Sequence, residues 1–263
     1  MKTTKVVRFL SIALLAFGIS THAEEPGTRD RALSAVAAKN WEVAEPLLEQ
    51  LAQANPADPD VCLQLGIRRL DEHRAKEAVD LIGRAAEAAP KRSDIQAQLG
   101  HALARRIGEV TFVHQPLLAA RMRKAYLTAV ELDSNNVGAW IGLTQYSLNA
   151  PEIAGGSMEK AEEYAKEVEK RAPGLGAIQR GQVCEQAGKA EEAAGFFRRA
   201  TEIQPGDPWA WTCLGRVYAN SGKLAEARQA FTTAIERQPG FPPAEQGLKD
   251  LAAKSAENPA GGK

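Results

Sequence analysis

The chain has 263 residues, of which 44% are hydrophobic and 6% aromatic, and its 33 Lys+Arg are balanced by 33 Asp+Glu. The apolar content is enough for a buried core, whereas zero net charge removes any global electrostatic reason to bind nucleic acid or an anionic membrane. Three cysteines are too few for a disulfide scaffold. Abundant alanine and sparse β-branched residues favour helix.

The first segment, residues 1–23, has the layout of a secretory signal peptide. Three positive residues precede an apolar run from Phe9 to Ile19, and a small-residue cleavage site ends at Ala23. The apolar run is too short for a comfortable membrane span, although an uncleaved anchor is the alternative. We therefore expect a periplasmic or secreted protein whose mature chain begins near Glu24 and has no membrane span after the signal is removed.

A repeating pattern of 34 residues organises the rest of the chain. It is clearest in residues 208–241, where small and large apolar residues recur at fixed spacing: Trp211, Leu214, Gly215, Tyr218, Ala227, Phe231, Ala234 and Pro239. This spacing resembles the tetratricopeptide repeat (TPR) family at every signature position of its unit. Copies of the unit begin near residues 25, 59, 93, 137, 174 and 208.

The resemblance implies an all-α fold, a right-handed α-solenoid of about six helix pairs over residues 24–254. Residues 242–254 are expected to form a capping helix, and residues 255–263 a flexible tail. Two copies carry insertions, near residues 108–120 and 151–156. The copy near 174 begins two residues early, so the turn before it is predicted to be shortened.

No catalytic or metal-binding motif is found in the sequence. Gly188-Lys189 and Gly222-Lys223 resemble fragments of a phosphate-binding loop, but the remaining motif residues are missing and both fall at the turn within a helix pair. We therefore expect no enzyme, no cofactor and no metal. Cys184 and Cys213 lie on adjacent repeats. Buried free thiols are the favoured interpretation, and a disulfide between them is the alternative.

What is known of TPR proteins implies that a partner binds in a concave groove lined by the first helix of each pair. In this chain, a polar set on those helices comprises His101, Arg105, Gln145, Asn149, Gln182, Gln186, Arg216 and Asn220. An apolar set comprises Leu63, Ile67, Leu70, Ile141 and Leu148. Amide side chains both donate and accept hydrogen bonds, so they suit the backbone of an extended peptide. Simple solvation of the polar set is the alternative.

The predicted function is therefore a non-enzymatic scaffold or assembly adaptor that binds a protein or peptide partner in the groove. Nucleic acid is not an expected partner, because no basic stripe accompanies the aromatic residues. The rival hypothesis is a structural envelope protein that assembles into a homo-oligomer. The two insertions are further candidates for contact with a partner.

Overall fold

Residues 27–257, the part of the chain described by the computed structural model, contain thirteen α-helices and no β-strand. The helices are α1 (Thr28–Ala37), α2 (Trp41–Ala54), α3 (Pro59–Asp71), α4 (Ala75–Ala88), α5 (Ser93–Ile107), α6 (Gln115–Leu132), α7 (Val137–Asn149), α8 (Met158–Arg171), α9 (Pro173–Gln186), α10 (Ala190–Ile203), α11 (Pro208–Asn220), α12 (Leu224–Arg237) and α13 (Pro242–Glu257). The predicted all-α fold of paired helices is confirmed. The expected signal peptide, residues 1–23, and residues 258–263 of the expected tail lie outside the described residues.

The contacts divide the chain into two units, residues 1–56 and residues 57–263. In the first unit, α1 and α2 pack against each other. Ala32 on α1 and Ala44 and Leu48 on α2 are fully buried. The small alanines let the two helices approach closely, and the leucine fills the space beside them.

In the second unit, α3 to α12 form five antiparallel pairs and α13 packs against α11 and α12. Aspartate caps begin two of these pairs. The side chain of Asp58 accepts hydrogen bonds from the backbone N–H groups of Asp60 and Val61, at 2.9 and 3.1 Å. Asp207 caps α11 in the same way, and Pro208 follows it as the first helical residue. Each cap satisfies N–H groups that have no partner within the helix.

Within a helix pair, a glycine on the first helix packs against an aromatic ring on the second helix. A Cβ atom on Gly181 would lie 2.5 Å from the ring of Phe197, which is completely buried. Tyr126 lies equally close to both Gly100 and Gly142. The absence of a side chain at these glycines therefore sets the distance between the helices.

The turns within four pairs share one backbone conformation. Lys39 and His73 have φ values of 55° and 60°, and Gly188 and Gly222 each have a φ of 75°. All four occupy the same position of the repeat and adopt the left-handed conformation that reverses the chain after the first helix. The glycine-lysine pairs at 188 and 222 are thus parts of these turns.

The irregular copies differ from the others at three points. Residues 108–114 form a loop before α6, which has 18 residues. A 3₁₀ turn at Glu152–Ala154 separates α7 from α8. Ala172 alone connects α8 to α9 and serves as the cap of both helices. Other pairs are joined by longer segments, such as residues 89–92 and 204–207.

Candidate partner-binding site

The first helices of the pairs in the second unit, α3, α5, α7, α9 and α11, lie side by side, and each contacts the next. We call the surface that they form the first-helix face. All eight polar residues predicted to bind a partner lie on four of these helices, α5, α7, α9 and α11. The structure joins six of them into two connected groups and leaves His101 and Arg105 apart.

The first group is an amide cluster that bridges α7 and α9. Gln145 Nε2 donates to Gln179 Oε1 at 2.7 Å and to Gln182 Oε1 at 2.6 Å. Asn149 Nδ2 donates to the backbone oxygen of Gln145 at 2.7 Å. Gln186 belongs to the same group, since it reaches from α9 to the backbone of α7. Exposed amides at Asn149 and Gln186 retain oxygen atoms that can accept hydrogen bonds from a ligand.

Gln179 is a member of this cluster that the sequence analysis missed. Its side chain is buried, with 6% of its surface exposed, and it holds Gln145 in place. The repeat pattern assigns Gln179 to a packing position of the first helix, so no periodic signal distinguishes it. A polar residue at a position that the repeat assigns to packing would have been the available clue, since a buried amide needs a hydrogen-bond partner.

The second group centres on Arg216 of α11. Its Nε and Nη2 atoms donate to Glu185 Oε1 and Oε2 of α9, at 3.0 and 2.6 Å. This paired hydrogen bond raises the pKa of Arg216 above its ordinary value, so the guanidinium stays charged. The pair fixes the orientation of Arg216 beside a cavity.

The cavity has a volume of about 250 Å³ and lies among α11, α12 and α13. Arg216 and Asn220, both predicted to bind a partner, line it. The complete lining is Trp209, Thr212, Arg216, Ala219, Asn220, Phe231, Pro243, Gln246, Gly247, Asp250 and Leu251. The indole of Trp209 is 37% exposed. The repeat pattern predicts α13 only as a cap, whereas its residues form one wall of this cavity.

His101 and Arg105 lie on α5 and share no hydrogen bond with either group. The His101 ring packs edge-on against Tyr126, with 5.4 Å between the ring centroids. Burial lowers the pKa of His101, and a hydrogen bond to the backbone of Gly138 opposes this only in part. His101 is therefore neutral at pH 7. Arg105 is exposed and makes no ion pair with the described residues.

Comparison with protein families identifies the repeat. A tetratricopeptide repeat model matches residues 35–105 and 185–259, and a second tetratricopeptide repeat model matches residues 152–208. The chain belongs to the tetratricopeptide repeat family. TPR units generally mediate protein–protein interactions through the surface that their stacked helices form, and they are typically not enzymes. No match was found among curated proteins.

Solved TPR structures share the fold at low sequence identity. A thermophilic TPR protein of Thermus thermophilus is 21% identical, with a TM-score of 0.60, and the match covers 76% of this chain and 97% of that one. A chain of the Cut9–Hcn1 hetero-tetramer of the APC/C is 15% identical, with a TM-score of 0.64, and the match covers 85% of this chain and 42% of that one. PilF of Pseudomonas aeruginosa is 18% identical, with a TM-score of 0.52, and the match covers 77% of this chain and 92% of that one. At such identities the similarity establishes the fold alone.

The apolar docking patch expected on the TPR first helices is largely closed. Leu63 is only 5% exposed and Leu148 only 6%, because both pack between neighbouring helices. Ile67 and Leu70 are half-buried against the same core as Leu63, and Ile141 is half-buried. Leu63 and Leu148 therefore stabilise the solenoid and offer no surface to a partner. Among the described large apolar residues of these first helices, Trp209 in the cavity is the most exposed.

The three cysteines of the TPR domain are free and buried, and we expect them to resist alkylation in the folded protein. Burial raises the pKa of Cys213 to about 12 and also raises the pKa of Cys62 and of Cys184. At pH 8 the thiol of Cys213 therefore stays in its unreactive, protonated form. A thiol reagent should count three thiols after unfolding without reductant. A count of one would instead reveal a disulfide, and peptide mapping would show whether it joins Cys184 and Cys213.

Proposed function

We propose that this chain is an exported, non-enzymatic TPR adaptor that holds a segment of a partner protein against its first-helix face. The cavity among α11, α12 and α13 carries the proposal. It brings together an exposed indole at Trp209, the guanidinium of Arg216 and the carboxamide of Asn220. Tryptophan and arginine are the residues that most often dominate the binding energy of protein interfaces.

The chemistry of the cavity favours a segment with one apolar side chain and one uncharged hydrogen-bond acceptor, because Glu185 already neutralises Arg216 and Asp250 adds a second carboxylate to the lining. The apolar group would pack on the exposed indole of Trp209. The acceptor would meet Arg216, which is already oriented by Glu185. Because the guanidinium is held in place before binding, little side-chain entropy is lost when the partner arrives.

The amide cluster would extend the site from α11 towards α7. Asn149 and Gln186 are exposed, and their oxygens are directed at no donor among the described residues. An extended peptide has one N–H and one C=O per residue, and amides pair with these groups whatever the peptide sequence is. The cavity would thus select the partner, and the amides would hold its backbone.

Export is the part of the proposal that rests on residues 1–23. The positive residues, the apolar run and the small residues before Ala23 together favour cleavage and release into the periplasm or the medium. The partner would then be another protein of the cell envelope. Detection of an N-terminus at Glu24 in protein recovered from that compartment would support this step.

The binding test compares three forms of residues 24–263, immobilised and exposed to envelope proteins. Trp209→Ala with Asn220→Ala removes two walls of the cavity. Arg228→Ala with Gln229→Ala is the matched control, because both residues are exposed on α12 and do not line the cavity. A partner enriched on the parent should bind the cavity variant at least about tenfold more weakly and the control equally well.

Arg105→Ala with Asn149→Ala gives a second test at the other end of the face. A partner that spans the whole face should also lose affinity for this variant. Equal affinity for the parent and for both site variants would contradict binding at the first-helix face. A parent that captures no protein and sediments as a concentration-dependent oligomer would instead support the rival hypothesis of self-assembly.

A further inference from the structure

Four bulky apolar side chains project into solvent from the two insertions. Ile153 is 100% exposed, Phe112 80%, Leu117 69% and Val113 66%. Every other large apolar residue in the described part of the chain is at most 43% exposed. Side chains this exposed are costly in water and usually mark a contact surface.

The two insertions are linked through α6 although about 40 residues separate them in the sequence. The loop 108–114 leads directly into α6, and α6 contacts the 3₁₀ turn that contains Ile153. The Tyr146 hydroxyl donates to the backbone oxygen of Ala154 and so holds that turn against α7. We call Phe112, Val113, Leu117 and Ile153 the insertion patch.

Hydrogen bonds fix the turns of the loop at residues 108–114. Gln115 Nε2 donates to the backbone oxygens of Ile107 and Val110, at 3.4 and 3.3 Å. Thr111 Oγ1 and His114 Nδ1 lie 3.0 Å apart across the tip. The apolar side chains at the tip of this loop project outward. Burial against the neighbouring helices would lower the free energy of a loop that was free to move.

Basic charge accompanies the insertion patch. Residues 110–130 contain no aspartate or glutamate. Arg121 and Lys124 lie one and two turns after Leu117 on the same stripe of α6; both are exposed, and neither forms an ion pair with the described residues. Glu109 is paired with Arg106 at 2.8 Å. Glu152, next to Ile153, offsets only one of the two positive charges of Arg121 and Lys124. The patch therefore stays net positive, although the total charge of the chain is zero.

These observations favour one occupant, and we infer that the insertion patch binds the surface of an anionic phospholipid bilayer. Apolar side chains that project from a tip enter the fluid acyl region without needing a shaped pocket, and the adjacent cations meet the lipid phosphates. A second copy of the chain is disfavoured, because a symmetric contact through this patch would bring the basic residues of the two copies close together. The bilayer would hold the TPR domain at its surface and leave the first-helix face for a partner.

Vesicle co-sedimentation tests the inference with residues 24–263, because the apolar run of residues 9–19 would enter lipid by itself. These residues include every described helix. Vesicles of phosphatidylcholine with phosphatidylglycerol should bind the parent, and vesicles of phosphatidylcholine alone should bind it much more weakly. Added salt should reduce the binding, since screening weakens the attraction of the cations to the phosphates.

Two variants separate the apolar and the charged contributions. Phe112→Ser with Ile153→Ser, and Arg121→Gln with Lys124→Gln, should each weaken binding to the anionic vesicles about tenfold. Ile203→Ser with Leu224→Ser is the matched control, because these apolar residues are exposed elsewhere, at 42% and 37%, and should leave binding unchanged. Thermal unfolding followed by circular dichroism checks that all forms fold.

Two outcomes would overturn the inference. A parent that does not sediment with anionic vesicles excludes lipid binding. Equal sedimentation of the parent and both patch variants would place the lipid contact elsewhere. Sedimentation velocity then distinguishes the competing occupant, since self-association that disappears in Phe112→Ser with Ile153→Ser would assign the insertion patch to a second copy. Because no residue of the first-helix face is changed, the capture test of the proposed function stays independent.

Discussion

Replacing Phe197 with alanine is expected to lower the free energy of unfolding by about 4 kcal/mol. The ring is completely buried and packs against Gly181 of α9. Alanine removes the apolar surface of the ring and leaves a cavity, because a glycine opposite offers no side chain to fill the space. Urea unfolding followed by circular dichroism measures the change.

Phe196 is the matched control, since it is the same residue one position earlier on α10. It is only half-buried, and its exposed side carries the guanidinium of Arg180, 4.3 Å from the ring centroid. Phe196→Ala should cost about 1 kcal/mol, because part of the ring already faces water. Similar losses for the two variants would contradict the assigned orientation of α10.

Gly176→Ala should destabilise the protein by about 3 kcal/mol. A Cβ atom at this position would overlap the backbone nitrogen and Cα atom of Glu169 on α8. Backbone atoms cannot rotate away as a side chain does, so α8 and α9 would have to separate. They are joined by Ala172 alone, which leaves little length for such a movement.

Gly195→Ala is the control for this substitution, and its expected effect has the opposite sign. Gly195 also lies inside a helix, but a Cβ atom there would meet nothing within 4 Å. Alanine should therefore add about 0.5 to 1 kcal/mol through its better helix propensity. Thermal unfolding of the two variants measures both effects, and a stable Gly176→Ala protein would show that α8 and α9 are farther apart than described.

The fold could be predicted from the sequence because the TPR pattern records close packing directly. Gly181 and Phe197 occupy fixed positions of the 34-residue unit, and they meet in the structure as that spacing requires. The early start of the unit near 174 also indicated a short connection, which is the single residue Ala172. Such signals are local, because each depends on residues within one or two units.

The candidate site was harder to predict because its residues come from more than one unit. Position in the repeat placed Leu63 on the binding face, whereas packing by the adjacent helix buries it. The wall that α13 adds to the cavity depends on where the last helix lies, and the pattern ends before that helix. The position of the turn at Ile153 beside α6 likewise depends on two insertions that have no counterpart in the regular unit.

The connection at Ala172 has a mechanical consequence for any load placed on the second unit. A stack of helix pairs bends most easily where the connections between helices are long. The connection between α8 and α9 is a single residue, and Gly176 packs directly against the backbone of α8. The joints at residues 133–136 and 204–207 have more length. A force applied between the insertion patch and the cavity should therefore bend the stack on either side of α8 and α9. These two helices should rotate together as one rigid body.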